Sequence, residues 1–289
     1  MTTLPAAKTA AAPARAAEGT ADVRPSRGPR FAWVLMLVPV VAELIVGGYQ
    51  IGAASLWRDE ADTVSAASRP AADILALMRH QDAVHGAYYL LMHVVVVTAG
   101  TSATVLRLPS LLATSAAAGI TAVLGRRLAA ATGLPAPAVT GMTAGLLLVA
   151  LPATTFYAQD ARPYALATLL AVLATYLLVR GWQDPRPVWW AGYGVTLVLL
   201  AAMNLLALLI IAAHTVTLLA VRRPDTDQRT GWRTGLPWLI ASAAAVACAM
   251  PLIALSSRQT SQIAWLVRPH AGSILTLLGD FSGDRKSVV

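Results

Sequence analysis

The chain has 289 residues, 57% of them hydrophobic and only 12% charged. Soluble domains carry about twice that share of charge, so the composition excludes an ordinary soluble protein and points to a polytopic membrane protein. The formal charge of +8 would indicate nucleic acid in a soluble chain; here the placement of the cations matters more than their sum, and no nucleic-acid partner is expected. The single cysteine, Cys248, lies inside an apolar run, which excludes a disulfide framework or a cysteine metal site.

Residues 1–30 are rich in Ala, Pro, Arg, Gly and Thr without apolar periodicity, and read as a disordered basic tail. From 31 to 56 the chain is apolar apart from Glu43. That run is too long for a cleaved signal peptide and lacks its small-residue exit, so it reads as a retained anchor. Asp59, Glu60 and Asp62 follow at once, a cluster that hydrocarbon does not tolerate and that belongs at the membrane–water boundary. Segment 71–80 is amphipathic, whereas 87–99 is apolar throughout but shorter than the roughly 20 residues a span needs. Six further runs, 108–124, 139–156, 165–179, 188–203, 205–221 and 236–255, have spanning character. The expectation is an all-α bundle of about seven spans with a long first outer loop at 57–107.

Charge sets the orientation. If 87–99 lies at the interface, one side collects Lys8, Arg15, Arg24, Arg27, Arg30, Arg126, Arg127, Arg180, Arg186, Arg222, Arg223, Arg229 and Arg233. These are 13 of the 22 Lys and Arg residues, so this side is cytoplasmic by the positive-inside rule. Asp59, Glu60, Asp62, Asp73, Asp82 and Asp160 then share the outer face. If 87–99 crossed, every later loop would invert and Arg126-Arg127 would lie outside.

Three constellations stand on that face. Asp59 and Asp62 share a side if their segment is helical; the plain alternative is a solvated acidic helix start. Asp82 and His85, three apart, could hold a divalent ion or a phosphate, or simply cap a helix. The third, Tyr157-Ala-Gln-Asp160-Ala-Arg162-Pro-Tyr164, packs aromatics, an acid and a guanidinium into a short hairpin; an interfacial Tyr belt with an Asp160–Arg162 pair is its bland reading. Arg107 sits at the mouth of the 108–124 run, where snorkelling is the ordinary role.

Taken together, five features in order resemble the GT-C superfamily of polyprenyl-phosphate-sugar glycosyltransferases. They are Trp57-x-Asp59-Glu60, Ala67-x-Arg69, Asp82-x-x-His85-Gly-x-Tyr-Tyr-Leu-Leu, Leu106-Arg107-Leu108-Pro109-Ser110 and the 157–164 hairpin. The resemblance is to the family 39-like branch of protein O-mannosyltransferases and lipid A aminoarabinose transferases. It covers about 33 to 200, and it too places the helix after the His motif at the interface. It implies a sugar, mannose at family level, passed from a polyprenyl-phosphate donor in the bilayer to an acceptor hydroxyl, with inversion. On this resemblance Asp59 is the general base and Glu60 its neighbour. Asp160 and Asp82 are further active-site acids, and Arg107, Arg162 and His85 contact the donor phosphate. A divalent ion, Mg or Mn, would sit at Asp82 and His85, although the family's frequent His-Pro-Pro is His85-Gly-Ala here. The implied location is the cell membrane, with the N-terminus cytoplasmic and the site outside.

Residues 284–289 read as the translation of a sequencing adapter, which would make them non-native and the chain an N-terminal piece. Against the transferase stands a transporter or lipid-linked-glycan flippase, which would place polar groups inside its spans; Glu43, Asn204 and His214 are the residues that favour it. A non-catalytic scaffold is the third reading.

Overall fold

The computed structural model describes residues 29–220 and 228–259, and the regular elements among them are all helical. The tail at 1–28, the segment 221–227 and everything from 260, including the adapter-like end, lie outside the described residues. Helix α1 (Pro29–Gly48) is followed by three short helices, α2 (Arg58–Ala67), α3 (Ala71–His80) and α4 (Gly86–Ala99). Then come α5 (Ala103–Ala131), α6 (Pro137–Ala150), α7 (Pro152–Ala158), α8 (Tyr164–Gln183) and α9 (Pro187–Met203). A 3-10 turn at Leu205–Leu209 leads into α10 (Ile210–Ala220), and α11 (Gln228–Ser257) closes the described chain. Proline opens α6, α7 and α9, where a missing N–H costs nothing because the first turn has no intrahelical acceptor for it.

Three helices, α5, α8 and the 235–257 part of α11, are long and apolar enough to cross a membrane. The α6–α7 pair makes a fourth if its two arms, bent by 69°, count as one span. Helix α9, the segment Leu205–Ala220 and the part Trp33–Gly48 of α1 are apolar but shorter. Large apolar side chains such as Leu37, Ile45, Leu147, Leu199, Val216 and Ile240 face outward, which suits lipid as the surrounding solvent. Two expectations change. The run 139–156 is not one straight helix, because Pro152 has no N–H to continue the ladder and Leu151 turns extended before it. The first span ends at Gly48, and 49–57 is a turn leading back to the bundle.

Helix α5 is the centre, packed by α1, α6 and α8. Its meeting with α6 runs through small residues: Ala118, Ala122 and Gly125 face Gly141 and Gly145, a Gly-x-x-x-Gly pair on α6. A Cβ on Gly141 would lie 2.3 Å from the Ala122 carbonyl oxygen, and one on Gly145 2.6 Å from the Pro39 ring of α1. Between helices in lipid, close backbone approach of this kind supplies the dispersion contact that water-driven burial supplies elsewhere. A second core joins α8, α9 and α11 through Leu177, Leu178, Leu197, Leu200 and Ala245. There Trp238 donates to the Tyr193 hydroxyl at 3.2 Å, Tyr193 meets His214 Nδ1 at 2.9 Å, and His214 Nε2 meets Thr175 at 3.2 Å.

Helices α2, α3 and α4 form a cap over one end. Tyr88, Tyr89 and Met92 of α4 are buried against Ala66 and Ala67 of α2, Ile74 of α3 and Leu106 of α5. Fourteen residues of α4 cover only about 21 Å, short of a hydrocarbon core of about 30 Å. Helix α4 packs against α2 and α3 of the cap and also touches α5 and α9.

Candidate functional site

The site begins with a buried ion pair. Glu60, in the first turn of α2, is fully buried, and Arg107, in the first turns of α5, is 4% exposed. Arg107 donates to Glu60 through Nε at 2.8 Å and Nη2 at 2.6 Å. Its other bonds go to the carbonyls of Ile51, Ala54 and Ser55 in the turn after α1. A guanidinium has five N–H groups, and five acceptors meet them here. Glu60 also accepts the N–H groups of Trp57, at 3.3 Å, and Ala161, at 2.9 Å. Burial alone would push the Glu60 carboxyl up, but these bonds and the Arg107 charge outweigh it and hold it below the usual carboxylate range. The pair thus ties the end of α1, the start of α2 and the loop before α8 to α5.

That loop is pinned from three further directions. Ser110 donates to the Asp160 carbonyl at 2.6 Å, Thr63 to the Ala161 carbonyl at 3.2 Å, and Gln159 to the carbonyls of Gly47 and Tyr49. A loop so held points its side chains in fixed directions, and both Asp160 and Arg162 are buried. Asp160 takes the Trp57 indole N–H on Oδ1 at 3.2 Å, while Oδ2 is buried with no hydrogen-bond partner. Burial pushes its carboxyl up to about 6, and the nearby charges of Glu60 and Asp59 add to the rise.

Arg162 reaches the other wall. Its Nη2 donates to His85 Nε2 at 3.1 Å, and its Nε is buried without a partner. His85 therefore accepts on Nε2 and carries its proton on Nδ1, which bonds Asp82 Oδ1 at 2.6 Å. The Tyr89 hydroxyl donates to Asp82 Oδ2. Asp82 sits in the left-handed region, φ 57°, a conformation that Asp adopts more readily than most residues. Burial would raise its carboxyl, but the His85 and Tyr89 bonds prevail and hold it low. The Tyr88 hydroxyl is also buried and unpartnered, within the electrostatic reach of Asp160 and Arg162.

Asp59, one residue before the buried Glu60, is half-buried, and its charge acts on both Asp160 and Arg162. The arrangement is a cation walled in by acids, with Asp160 Oδ2, Arg162 Nε and the Tyr88 hydroxyl lacking partners. Such a site can orient a polar ligand between a fixed positive charge and two carboxyls.

Of the residues expected from sequence, Asp82, His85, Asp160 and Arg162 come together, and Asp59 faces them. Glu60 and Arg107 are instead a closed structural pin. The expectation that Arg107 contacts a phosphate meets a guanidinium whose N–H groups are all engaged within the protein. Asp62, one turn on from Asp59 in α2, is exposed. Asp82 and His85 do not fit a divalent ion in this arrangement: they bond each other, and the Arg162 cation holds the imidazole's second nitrogen. Among the described residues no group of three or more His, Cys, Asp or Glu side chains gathers to hold a metal.

Sequence reasoning assigned no role to Trp57, Tyr88 and Tyr89, although all three stand inside the quoted motifs. It also missed Gln259, at the end of α11. Its amide donates to the Met78 carbonyl and accepts from the Ala83 N–H, each at 2.9 Å, and so braces the Asp82 loop. A lone glutamine 174 residues beyond His85 carries no signal that could have found it.

Apolar helices of spanning length, an outward apolar surface and a polar cap at one end define a multi-pass α-helical membrane protein. No family model, curated protein or solved structure matches the chain.

Proposed function

We propose that the chain is a membrane glycosyltransferase acting at the extracytoplasmic face of the cell membrane. It moves a sugar, mannose at the level of the resemblance, from a polyprenyl-phosphate donor to an acceptor hydroxyl. The observation that carries this reading is Arg162: a buried guanidinium with an unpartnered Nε beside Asp160, with Asp59 opening onto both. In the reaction the acceptor oxygen attacks the anomeric carbon while the bond from that carbon to the phosphate oxygen breaks. The acceptor proton passes to the Asp59 carboxylate, and polyprenyl phosphate leaves with the bonding pair. Arg162 stabilises the charge that grows on the leaving phosphate, and the His85–Asp82–Tyr89 chain holds Arg162 in place. A single displacement inverts the anomeric centre.

A second reading, a transporter or lipid-linked-glycan flippase, has its own support. Glu43 is fully buried in α1 with both carboxyl oxygens unpartnered, and the α6–α7 pair is bent by 69°. Buried carboxyls and broken helices are how transporters build their sites. One experiment separates the two. The full chain is reconstituted in sealed lipid vesicles with a radiolabelled polyprenyl-phosphate mannose and a pool of acceptors, and both transfer and flux across the membrane are followed for wild type, Asp59→Asn and Glu43→Gln. The transferase reading expects transfer by wild type, a loss of at least about 100-fold in Asp59→Asn, and little change in Glu43→Gln. Wild-type rates in Asp59→Asn sink the mechanism. No donor turnover by wild type, with vesicle flux that Glu43→Gln abolishes, favours the transporter.

A further inference from the structure

The end of the bundle opposite Asp160 carries a second polar layer. Helix α5 begins near the site with Arg107 and ends with Arg126 and Arg127, about 20 residues and so about 30 Å away. Helix α8 starts beside Arg162 and carries Arg180 in its last turn. About 30 Å is the thickness of a bilayer's hydrocarbon core, so the two layers match the two interfaces of one membrane.

In this far layer Arg127 spans one stripe of α8. Its guanidinium lies 6.0 Å from the Tyr176 ring and donates to Gln183 Oε1 at 2.9 Å. Arg180 sits on the same stripe between those two residues, at i+4 from Tyr176 and i−3 from Gln183. Its guanidinium stacks at 4.0 Å over the Trp189 ring of α9, and its Nε is buried without a hydrogen-bond partner. Two cations thus flank one stripe. Among the described residues the acid at this end is Asp184, already bonded to Arg186 at 3.0 Å. Positive charge is in excess, and a buried donor lacks an acceptor. Leu128, next to Arg127 in the chain, and Val188, next to Trp189, are apolar and exposed. A soluble anion would gain nothing from that apolar shelf, whereas a lipid has chains to lay on it.

We propose that Arg127, Arg180 and Trp189 form a headgroup site for an anionic phospholipid, the phosphate between the two guanidinia and the acyl chains along Leu128 and Val188. Clustered Arg at a membrane interface recognises such headgroups, and a planar guanidinium offers the paired donors a phosphate accepts. The site is independent of transfer at the other end.

The test is lipid retention. The full chain is purified in mild detergent, mixed with equal amounts of phosphatidylglycerol and phosphatidylcholine of matched chains, and read by native mass spectrometry. The expected result is a preference of about tenfold for phosphatidylglycerol, reduced to near unity in the Arg127→Gln/Arg180→Gln double variant. Arg126→Gln, on the α1 side over Trp33 at 5.3 Å, is expected to keep the preference. Equal retention of the two lipids by wild type, or an unchanged preference in the double variant, overturns the proposal. Displacement of the lipid by inorganic phosphate alone, at equal concentration, also overturns it, since the site would then be one for a free anion. If the double variant does not fold, Arg180→Lys decides: losing the fork lowers the preference about threefold, and no change overturns the site.

Discussion

Asp160 keeps one oxygen on the Trp57 indole and the other without a partner, in a place where burial and the neighbouring acids favour the neutral form. Its carboxyl titrates at about 6 in the fold against 3.8 for the ordinary group. Between those values the folded state holds a proton that the unfolded state has released, so this residue's contribution to stability falls as pH rises from about 4 to about 6 and is flat above. Asp160→Asn removes the titration. We expect the unfolding temperature of Asp160→Asn in detergent, relative to wild type, to move in the variant's favour between pH 4 and pH 7, by the equivalent of on the order of 3 kcal/mol. An offset that does not change with pH would refute the buried neutral carboxyl. The start of α2, packed against that loop, shows what a sequence conceals at this scale. Asp59 and Glu60 are adjacent acids of equal appearance, but successive residues of a helix point about 100° apart. One therefore faces the site and the other the Arg107 pin. Nothing in the order of residues says which, because Glu60's partners come from positions 47 and 101 residues away. Glu60 and Arg107 also depend on each other. Removing one partner of a buried pair typically costs about 3–5 kcal/mol, so loss of activity in a Glu60 variant would not by itself make Glu60 catalytic.

The amphipathic 71–80 segment becomes α3 with the same bounds, and the apolar runs become helices, because hydropathy over a dozen residues decides burial in lipid regardless of tertiary detail. The bend between α6 and α7 was legible only in Leu151-Pro152, and composition smooths over a single proline. The contact of α5 with α6 yields a prediction in which two elementary effects oppose. Helix propensity says that Gly141→Ala stabilises α6 by about 1 kcal/mol. Close approach says otherwise, because the new methyl would stand 2.3 Å from the Ala122 carbonyl oxygen and 2.8 Å from Arg126 N, both backbone atoms that cannot swing aside. Forced separation of packed elements costs roughly 1–3 kcal/mol and wins. Gly141→Ala is therefore expected to lower the unfolding midpoint in detergent, whereas Gly235→Ala, with open space around it, is not. A stabilised Gly141→Ala would mean that the α5–α6 crossing is looser than described.

At the scale of the molecule, α5 joins two polar layers: Arg107 with the acid-rich cap at one end, Arg126 and Arg127 at the other. A layer of acids and a layer of arginines about 30 Å apart is what the positive-inside rule expects of a membrane protein; the separation of the two layers was legible in the charge pattern, and which of them faces the cytoplasm is a proposal. What charge bias could not supply is the stacking of α4 against α2 and α3, since an apolar run of 14 residues looks the same whether it dips or lies flat. The orientation is open to a direct test. Ser68, exposed after α2, and Thr132, exposed after α5, lie on opposite layers. In a Cys248→Ser background, a membrane-impermeant maleimide applied to intact cells is expected to label Ser68→Cys and to leave Thr132→Cys unlabelled until the membrane is opened. If α4 crossed the bilayer, α5 would begin on the inner side and both positions would lie outside, because α2 precedes α4 and Thr132 follows one further crossing. Labelling of both positions in intact cells would thus turn the arginine layer outward, and labelling of Thr132→Cys alone would turn the cap inward.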